Sequence, residues 1–184
     1  MKLFTNLNKI NFIQVTTDRA FIANNAILRF SENEAFRNYL NNRDGLRIDE
    51  LVFQLNEQIA PQIDCTQCGA CCNQLMVNIT EAEATATAAF LNQSLESFKQ
   101  QHVEQGWGER MIMNAIPCHF LKDCSCTIYE KRFTECRAFP NLDQPNFNSR
   151  LFATLIHYGM CPIIYNVIEE LKIATGFLKQ QADI

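Results

Sequence analysis

The residues whose type and spacing most clearly suggest a chemical function are the cysteines of the segment Cys65-Thr66-Gln67-Cys68-Gly69-Ala70-Cys71-Cys72. Four thiols within eight residues contribute little to a hydrophobic core, because Cys is small and Gly69 has no side chain. The C-x2-C spacing lets two sulfurs turn toward one ion or one face of a cluster, and Gly69 permits backbone conformations that other residues resist. The segment therefore predicts a loop that gathers sulfur ligands around a metal ion or an iron–sulfur cluster.

Later cysteines extend this ligand set. They are Cys118, Cys124, Cys126, Cys136 and Cys161. Without Cys124, eight thiols remain, and they fit two four-sulfur sites or one cluster with spare thiols. Zinc prefers four cysteines in a tetrahedron, but ordinary zinc ribbons use two CxxC pairs and only the first pair is present here. Because adjacent residues seldom aim both side chains at one point, we expect Cys72 to serve a second site or to cap the first. Spacing alone leaves zinc and iron–sulfur both open.

The order of the cysteine motifs resembles a known family. After CxxCxxCC come Pro117-Cys118-His119-Phe120-Leu121, Cys126-Thr127-Ile128-Tyr129-Glu130-Lys131-Arg132 and Cys136-Arg137-Ala138-Phe139-Pro140. This order is similar to the YkgJ-type cysteine-cluster proteins, which are described as zinc- or iron-chelating domains. On the basis of this resemblance, we expect the metal ligands to be Cys65, Cys68, Cys71, Cys72, Cys118, Cys126, Cys136 and Cys161. The same pattern occurs in flagellin lysine N-methylases, where it implies an iron–sulfur cluster tied to methyl transfer, but those enzymes are longer and their activity is not carried over.

Two positions depart from the family pattern. Phe133 stands where the family usually has proline, so we expect a local change at the entry to the next helix and no loss of the site. Cys124 falls in a stretch that varies in the family, and we interpret it as an extra thiol that binds no metal.

Charged and aromatic residues near the later cysteines are candidates to support the site. A four-thiolate centre carries a net charge of about −2, and a buried charge needs partners. Arg132 and Arg137 suit that role, because the guanidinium offers a fork of donors, and Tyr129 is a further candidate for contact with the site. We expect His119 and His157 to pack or to support the site, since enough thiols are present without them.

Composition and charge narrow the function classes. The chain has 184 residues, a net charge of −4 and no strong basic run, so we expect neither nucleic acid nor membrane as a partner. The polar residues near Met1 argue against a signal peptide, and we expect a cytoplasmic protein. In that compartment clustered cysteines bind metal more often than they form structural disulfides. A protein partner or protein substrate remains open and unidentified.

The pattern of apolar residues predicts an α+β fold that is mainly helical, with a small irregular β element around the cysteine-rich site. Capping boxes at Ser31 and Thr80 predict helices that begin there, and 141–149 reads as a loop. We expect a strand before a helix at 17–28, and a last helical region that is split near Gly159. The predicted division is an N-terminal helical annex over 1–60, a cysteine-cluster domain over 61–176 and a polar tail over 177–184, in one compact unit.

The sequence predicts a protein that holds an iron–sulfur cluster, most simply [4Fe–4S], or zinc through its clustered cysteines. If it is an enzyme, the resemblance implies redox or cluster-mediated group-transfer chemistry, and the sequence identifies no catalytic residue. The alternative is a structural zinc module that binds a protein without catalysis. Thiol–disulfide exchange is weakly supported, because the single CxxC lacks a βαβ context. Motifs for nucleotide binding, for hydrolases and for HExxH zinc enzymes are absent from the sequence.

Overall fold

The N-terminal part of the chain forms three helices. The computed structural model describes residues 13–106, 108 and 110–178. The helices are α1 (Arg19–Leu28), α2 (Phe30–Leu40) and α3 (Gly45–Ile59). Asp18 and Asp44 cap α1 and α3, because their side chains accept hydrogen bonds from backbone N–H groups of the first turn. The helix predicted at 17–28 is confirmed, whereas the strand predicted before it falls largely on residues outside those described.

The capping box predicted at Ser31 is wrong. Helix α2 begins two residues earlier than this box predicts, with Arg29 as its N-cap and no side-chain cap. Helix α2 starts early because its link from α1 is short. The N–H of Arg29 still bonds to Asn25, and the carbonyl of Arg29 already accepts from Asn33. Ser31 therefore lies inside a helical turn, and Glu34 pairs with Arg37 at 2.9 Å instead of capping.

Two C-terminal helices complete a helical core. Helix α8 (Phe147–Ile156) and helix α9 (Pro162–Ala174) are separated near Gly159, as predicted. The loop predicted over 141–149 is too long by three residues. Helix α8 can begin at Phe147 because the buried carboxylate of Asp49, on α3, accepts hydrogen bonds from Asn146 N at 2.7 Å and Phe147 N at 2.8 Å. A side chain from a distant helix thus supplies the cap that the local sequence lacks.

The helical core encloses an ion network between α2 and α9. Lys172 is fully buried, and its Nζ lies 2.6 Å from Glu32 and 2.7 Å from Glu169. Arg29 also pairs with Glu169, and the hydroxyl of Tyr158 donates to Glu169 at 2.8 Å. The buried ammonium is therefore matched by carboxylates, which is the condition for burying a charge without a large cost.

A second, smaller core lies around a three-stranded antiparallel sheet in the order β1-β3-β2. The elements of this part are β1 (Asn78–Ile79), α5 (Glu81–Phe90), α6 (Leu95–His102), β2 (Val103–Gln105) and β3 (Met111–Met113). The capping box at Thr80 is confirmed, with Glu83 as its reciprocal partner. Phe98, Met113 and Phe120 are among the buried residues of this core.

The hairpin and helix that follow carry three cysteines. They are β4 (Leu121–Lys122), β5 (Ser125–Cys126) and α7 (Thr134–Ala138). Each of these strands is two residues long, and 129–131 forms a 3₁₀ turn. At the departure from the family pattern, Phe133 has φ −61° and is 2 % exposed. That φ is the value that proline would impose, and the ring fills the second core.

The architecture confirms the α+β, mainly helical fold class with small antiparallel sheets. The helical core takes buried residues from two separate stretches, 22–70 and 142–177, so the chain leaves it for the second core and then returns. The predicted domain boundary between residues 60 and 61 stays a prediction. Phe177 belongs to the predicted polar tail, but it is only 5 % exposed and packs in the helical core. None of the helices in the described part has both the length and the apolarity to cross a membrane.

Candidate metal centre

The loop that carries the first cysteines folds through local caps. Helix α4 (Cys65–Cys68) begins after Asp64, whose carboxylate accepts from Thr66 N at 2.9 Å. Hydrogen bonds from Thr66 and Gln67 lower the pKa of Asp64. The helix ends at Gly69, in the left-handed region at φ 59°, and a 3₁₀ turn over Cys71–Asn73 follows. The predicted reversal of the chain at Gly69 is therefore observed.

Gly69 also allows the loop to lie against the β4–β5 hairpin. A Cβ at this position would stand 2.9 Å from the carbonyl oxygen of Cys124, a distance that real Cβ atoms do not tolerate. The approach brings Cys126, on β5, next to the first cysteines. On the other side of the loop, Cys118 N donates to Cys72 O at 2.8 Å, so two later cysteines are held to the loop by backbone packing.

Cys71 and Cys72 point the same way, against the expectation for adjacent residues. Their Sγ atoms are 4.0 Å apart and form a hydrogen-bonded pair. The hydrogen bond from Cys72 lowers the pKa of Cys71 to about 6, whereas donating that bond raises the pKa of Cys72. The contact between the two sulfurs therefore favours ionisation of one thiol of the pair and disfavours ionisation of the other.

Three later thiols join this pair, and we call the set the five-thiol group. Its members are Cys71, Cys72, Cys118, Cys126 and Cys136. Burial raises the pKa of each later thiol, to about 12 at Cys136, and the charge of Cys71 raises each of them further. Four of the five line a cavity of about 350 Å³, whose apolar wall includes Leu75, Val77 and Phe139. A bound cation would favour the thiolate forms that burial and the neighbouring charge disfavour.

Two carboxylates that sequence reasoning missed hold Cys136 in place. Glu83 accepts from Thr134 N at 2.6 Å, which joins the start of α5 to the start of α7. Glu135 accepts from Asn78 N at 2.7 Å, which joins α7 to β1. The capping box predicts a structural role for Glu83, but no nearby residue in the sequence predicts its second hydrogen bond, to Thr134. No sequence pattern predicts the hydrogen bond of Glu135.

The remaining thiols form the three-thiol group, Cys65, Cys68 and Cys161. Cys161 is 7 % exposed at the start of α9, and burial raises its pKa to about 12, with the charges of Cys65 and Cys68 adding to the effect. Cys65 is exposed, and burial first and then the charges of Cys68 and Cys71 raise its pKa. Cys161 lies in the helical core, and Cys68 packs against that same core although it stands 93 positions earlier in the sequence.

Cys124 has a different environment. It is exposed, and its backbone lies in the left-handed region at φ 64°. It contributes its carbonyl, at the contact with Gly69, to the packing of the hairpin. The interpretation of its side chain as an extra thiol stays a prediction.

The three supporting residues predicted from the sequence make different contacts in the structure. Arg132 stacks over Tyr129, with the guanidinium carbon 3.9 Å from the ring centroid. Burial raises the pKa of Cys65 and Cys126, and the positive charge of Arg132 opposes that rise. Arg137 instead donates to the backbone carbonyl of Arg132. Arg132 is thus the cation that faces the thiols, and Arg137 fixes the backbone that carries it.

The two candidate histidines lie beside the site. His119 Nε2 is 2.6 Å from the side-chain oxygen of Asn114, and its ring meets that of His102 edge to face. His157 packs against Phe139 with ring centroids 5.5 Å apart, and burial lowers its pKa. Both contacts agree with the packing role expected for them.

The donor set fits a sulfur-bound metal, although the thiols do not stand in a closed coordination shell. Across 13–106, 108 and 110–178, no three His, Cys, Asp or Glu side chains are arranged tightly enough to hold an ion. The distance between Cys71 and Cys72 Sγ, 4.0 Å, is nonetheless close to the edge of about 3.8 Å of a tetrahedron with Zn–S bonds of about 2.3 Å. Eight thiols and one opposing guanidinium supply the ligands and charge that such a centre requires.

Comparison with known proteins gives one match. Searches among curated proteins and among solved structures found nothing similar. Residues 64–154 match the family model CxxCxxCC, described as "Putative zinc- or iron-chelating domain". The match covers every thiol of the five-thiol group and also Cys65 and Cys68, and it ends before Cys161. About half of the chain, residues 64–154, is therefore a CxxCxxCC domain, in a family described as chelating zinc or iron.

Proposed function

We propose that the chain binds an iron–sulfur cluster through its clustered cysteines and acts in the cytoplasm. The proposed ligands come from the eight thiols other than Cys124. The observation that carries the proposal is the cavity of about 350 Å³ that is lined by four members of the five-thiol group, Cys71, Cys72, Cys118 and Cys136. In a cluster each thiolate binds a different iron, so a cluster needs more room among its ligands than a single ion does.

The residues of the chain have separate tasks in this proposal. Cys71, which is the thiol that ionises first, and the later thiols of the five-thiol group would hold the cluster. Arg132 offsets part of the negative charge, and the apolar wall at Val77 and Phe139 excludes water from the sulfurs. A bound cluster would supply one-electron chemistry or a site for group transfer.

Metal and sulfide analysis tests this proposal. The chain is purified without oxygen, and iron, zinc and acid-labile sulfide are measured together with the visible spectrum. A brown protein with iron and sulfide in stoichiometric amounts is the expected result. A colourless protein with stoichiometric zinc, or a chain that binds neither metal, would overturn it.

The second candidate is a structural zinc module, and one observation favours it. The Sγ atoms of Cys71 and Cys72 are already 4.0 Å apart, close to the separation in a zinc tetrahedron. Cys118 and Cys136, which pack against the second core, line one cavity with this pair, so a zinc ion would fix the CxxC loop to the second core and present the surface to a protein partner. If the reduced apo-protein folds fully without metal, this structural role is excluded.

A further inference from the structure

We propose that Cys71 and Cys72 form a redox switch. In the metal-free chain a small disulfide, such as oxidised glutathione, converts the two thiols into a disulfide between neighbouring residues, and this bond keeps metal out of the site until it is reduced. The oxidation stands apart from the proposed function, whereas its effect on metal loading rests on that function. Three features of the pair support the inference.

The first feature is the contact between the two sulfurs. The Sγ atoms of Cys71 and Cys72 are 4.0 Å apart, and across 13–106, 108 and 110–178 this is the one pair of cysteine sulfurs that hydrogen-bond to each other. All nine cysteines are free thiols. An S–S bond is about 2.05 Å long, so each sulfur of the pair has to move by only about 1 Å to form it. The 3₁₀ turn over Cys71–Asn73 therefore holds the two thiols close to a bonding position.

The second feature is access for a small reagent. Cys71 and Cys72 are both half-buried, so neither thiol is enclosed in a hydrophobic core. Both also line the cavity of about 350 Å³, together with Met76, whose side chain is 54 % exposed. Because an exposed side chain lines this cavity, it opens to the surface and a small disulfide can reach the pair.

The third feature is the geometry of the bond that would form. The peptide bond between Cys71 and Cys72 is trans, so their Cα atoms stand about 3.8 Å apart. Disulfides usually join Cα atoms that are about 4.4–6.8 Å apart, and a bond outside this range is strained and more easily reduced. Strained disulfides are the labile and regulatory ones, so the bond would be reversible.

The reaction is two steps of thiol–disulfide exchange. A thiolate of the pair attacks one sulfur of the small disulfide, whose S–S bond breaks and releases one small thiolate. The thiolate of the other cysteine then attacks the cysteine sulfur of this mixed disulfide, which forms the Cys71–Cys72 bond and releases the second small thiolate. The pair loses two electrons and two protons, and the small disulfide takes them up as two thiols. The exchange acts on the chain's own site, so it requires no βαβ context.

Oxidation of the pair acts on the metal site in two ways. It removes two thiolates from the five-thiol group, and a cysteine binds metal only as the thiolate. The carbonyl of Cys72 also accepts a hydrogen bond from Cys118 N at 2.8 Å, so strain in the oxidised turn reaches the segment that carries a third thiol. A metal that is already bound to both sulfurs would block the exchange in return. Metal loading and oxidation of the pair therefore exclude each other.

Differential alkylation of the full chain tests the bond. The reduced, metal-free chain is treated with oxidised glutathione without oxygen, and the thiols that stay reduced are blocked. The disulfides are then reduced, and the freed cysteines are labelled with a second reagent and located by mass spectrometry. Cys71 and Cys72 should carry this label together, about tenfold more than Cys118 or Cys136. An unlabelled pair, or a disulfide that joins Cys71 to Cys118 or Cys136, would overturn the inference.

Single variants test the pairing. Cys72→Ser removes the partner of Cys71, so the reaction should stop at the mixed disulfide, and the intact protein should retain one glutathione. Cys71→Ser should do the same on Cys72. Cys124→Ser is the matched control, and like the unaltered chain it should retain no glutathione. A folded Cys72→Ser chain that forms an internal disulfide as fast as the unaltered chain would contradict the pairing. Circular dichroism establishes whether each variant is folded, and the alkylation of the unaltered chain needs no variant.

Zinc binding tests the switch. Competition with a coloured chelator should show that the oxidised chain binds zinc about tenfold or more weakly than the reduced chain, and reduction with dithiothreitol should restore the affinity. Zinc that is added before oxidised glutathione should slow the labelling of Cys71 and Cys72 by about tenfold or more. An oxidised chain that binds zinc as tightly as the reduced chain would overturn the switch.

The outcomes separate this inference from the proposed function. If the reduced chain binds neither zinc nor iron, the proposed function fails and the switch fails with it, even where the Cys71–Cys72 bond forms. If the reduced chain binds metal but the bond does not form, or forms without weakening zinc binding, only the switch fails.

Discussion

The carbonyl oxygen of Cys124 lies 2.9 Å from the point where a Cβ on Gly69 would stand. Because Gly69 has no Cβ, the CxxC loop can pack against the hairpin that carries Cys126. The contact joins residues on either side of the second core, and it explains how a thiol from the hairpin reaches the first cysteines. Gly69 thus combines a left-handed backbone with a close approach of another chain segment.

We predict that Gly69→Ala weakens both the fold and metal binding. The left-handed backbone at Gly69 costs an Ala about 1–2 kcal/mol, and the clash with Cys124 adds to that cost. The free energy of unfolding from urea titration should fall by at least this amount, and zinc affinity should fall with it. Gly45→Ala is the control, because nothing lies within 4 Å of its added Cβ. An equal effect of the two substitutions would contradict the role of the close approach.

The bridge from Glu83 to Thr134 predicts a pH-dependent stability. Burial raises the pKa of Glu83, but hydrogen bonds from Thr134 and Thr80 lower it to a net value of about 2. Because the pKa in the folded chain is depressed, the carboxylate stabilises the fold above the unfolded pKa of about 4.5 and loses that effect as the pH falls toward 2.

Glu83→Gln should therefore lower the free energy of unfolding at pH 7 by about 1 kcal/mol, typical of a lost cap. The difference from the unaltered chain should shrink as the pH falls below about 4.5. Urea unfolding at several pH values measures it. Glu81→Gln, which loses only an exposed pair with Lys99, should change stability by less than about 0.5 kcal/mol. A difference that grows at low pH would contradict this account.

Arg132 is predicted to support metal binding through its charge and its stacking on Tyr129. Arg132→Ala removes the guanidinium that faces the thiols. Its zinc affinity should therefore be about 10-fold weaker, as for other residues that contact metal ligands. Competition with a coloured chelator measures the affinity. Arg43→Ala is a matched control, since Arg43 stacks on Tyr39 at 4.2 Å in the helical part. It should leave zinc affinity unchanged, and similar losses in both variants would rule out a specific role for Arg132.

The cap that Asp49 supplies to α8 predicts a loss of stability that leaves the metal in place. Asp49→Asn loses the charge that accepts two backbone N–H groups, and the free energy of unfolding should fall by about 1.5–3 kcal/mol. Thermal denaturation of the metal-loaded chain measures the change, and the metal content of the folded protein should stay the same. The exposed Asp143 gives the control, as Asp143→Asn should be nearly neutral. An Asp49 variant as stable as the control would exclude the cap.

Much of the local structure follows from residues close together in the sequence. Thr80 and Glu83 are three residues apart, so the capping box predicts the start of α5 without any tertiary contact. Pro162 has no N–H and suits the first turn of α9, and this fits the observed break near Gly159. Ser31 is the counterexample, because the short link from α1 makes it part of a helical turn and overrides its capping pattern.

The cysteine spacing by itself determined that this chain gathers sulfur ligands, because four thiols in eight residues have few other uses. Only the tertiary structure decided how they are grouped. Cys161 and Cys68 both pack in the helical core, and Cys136 shares a cavity with Cys71 while Glu83 and Glu135 anchor α7. Such contacts depend on the packing of segments far apart in the chain, and no local pattern encodes that packing.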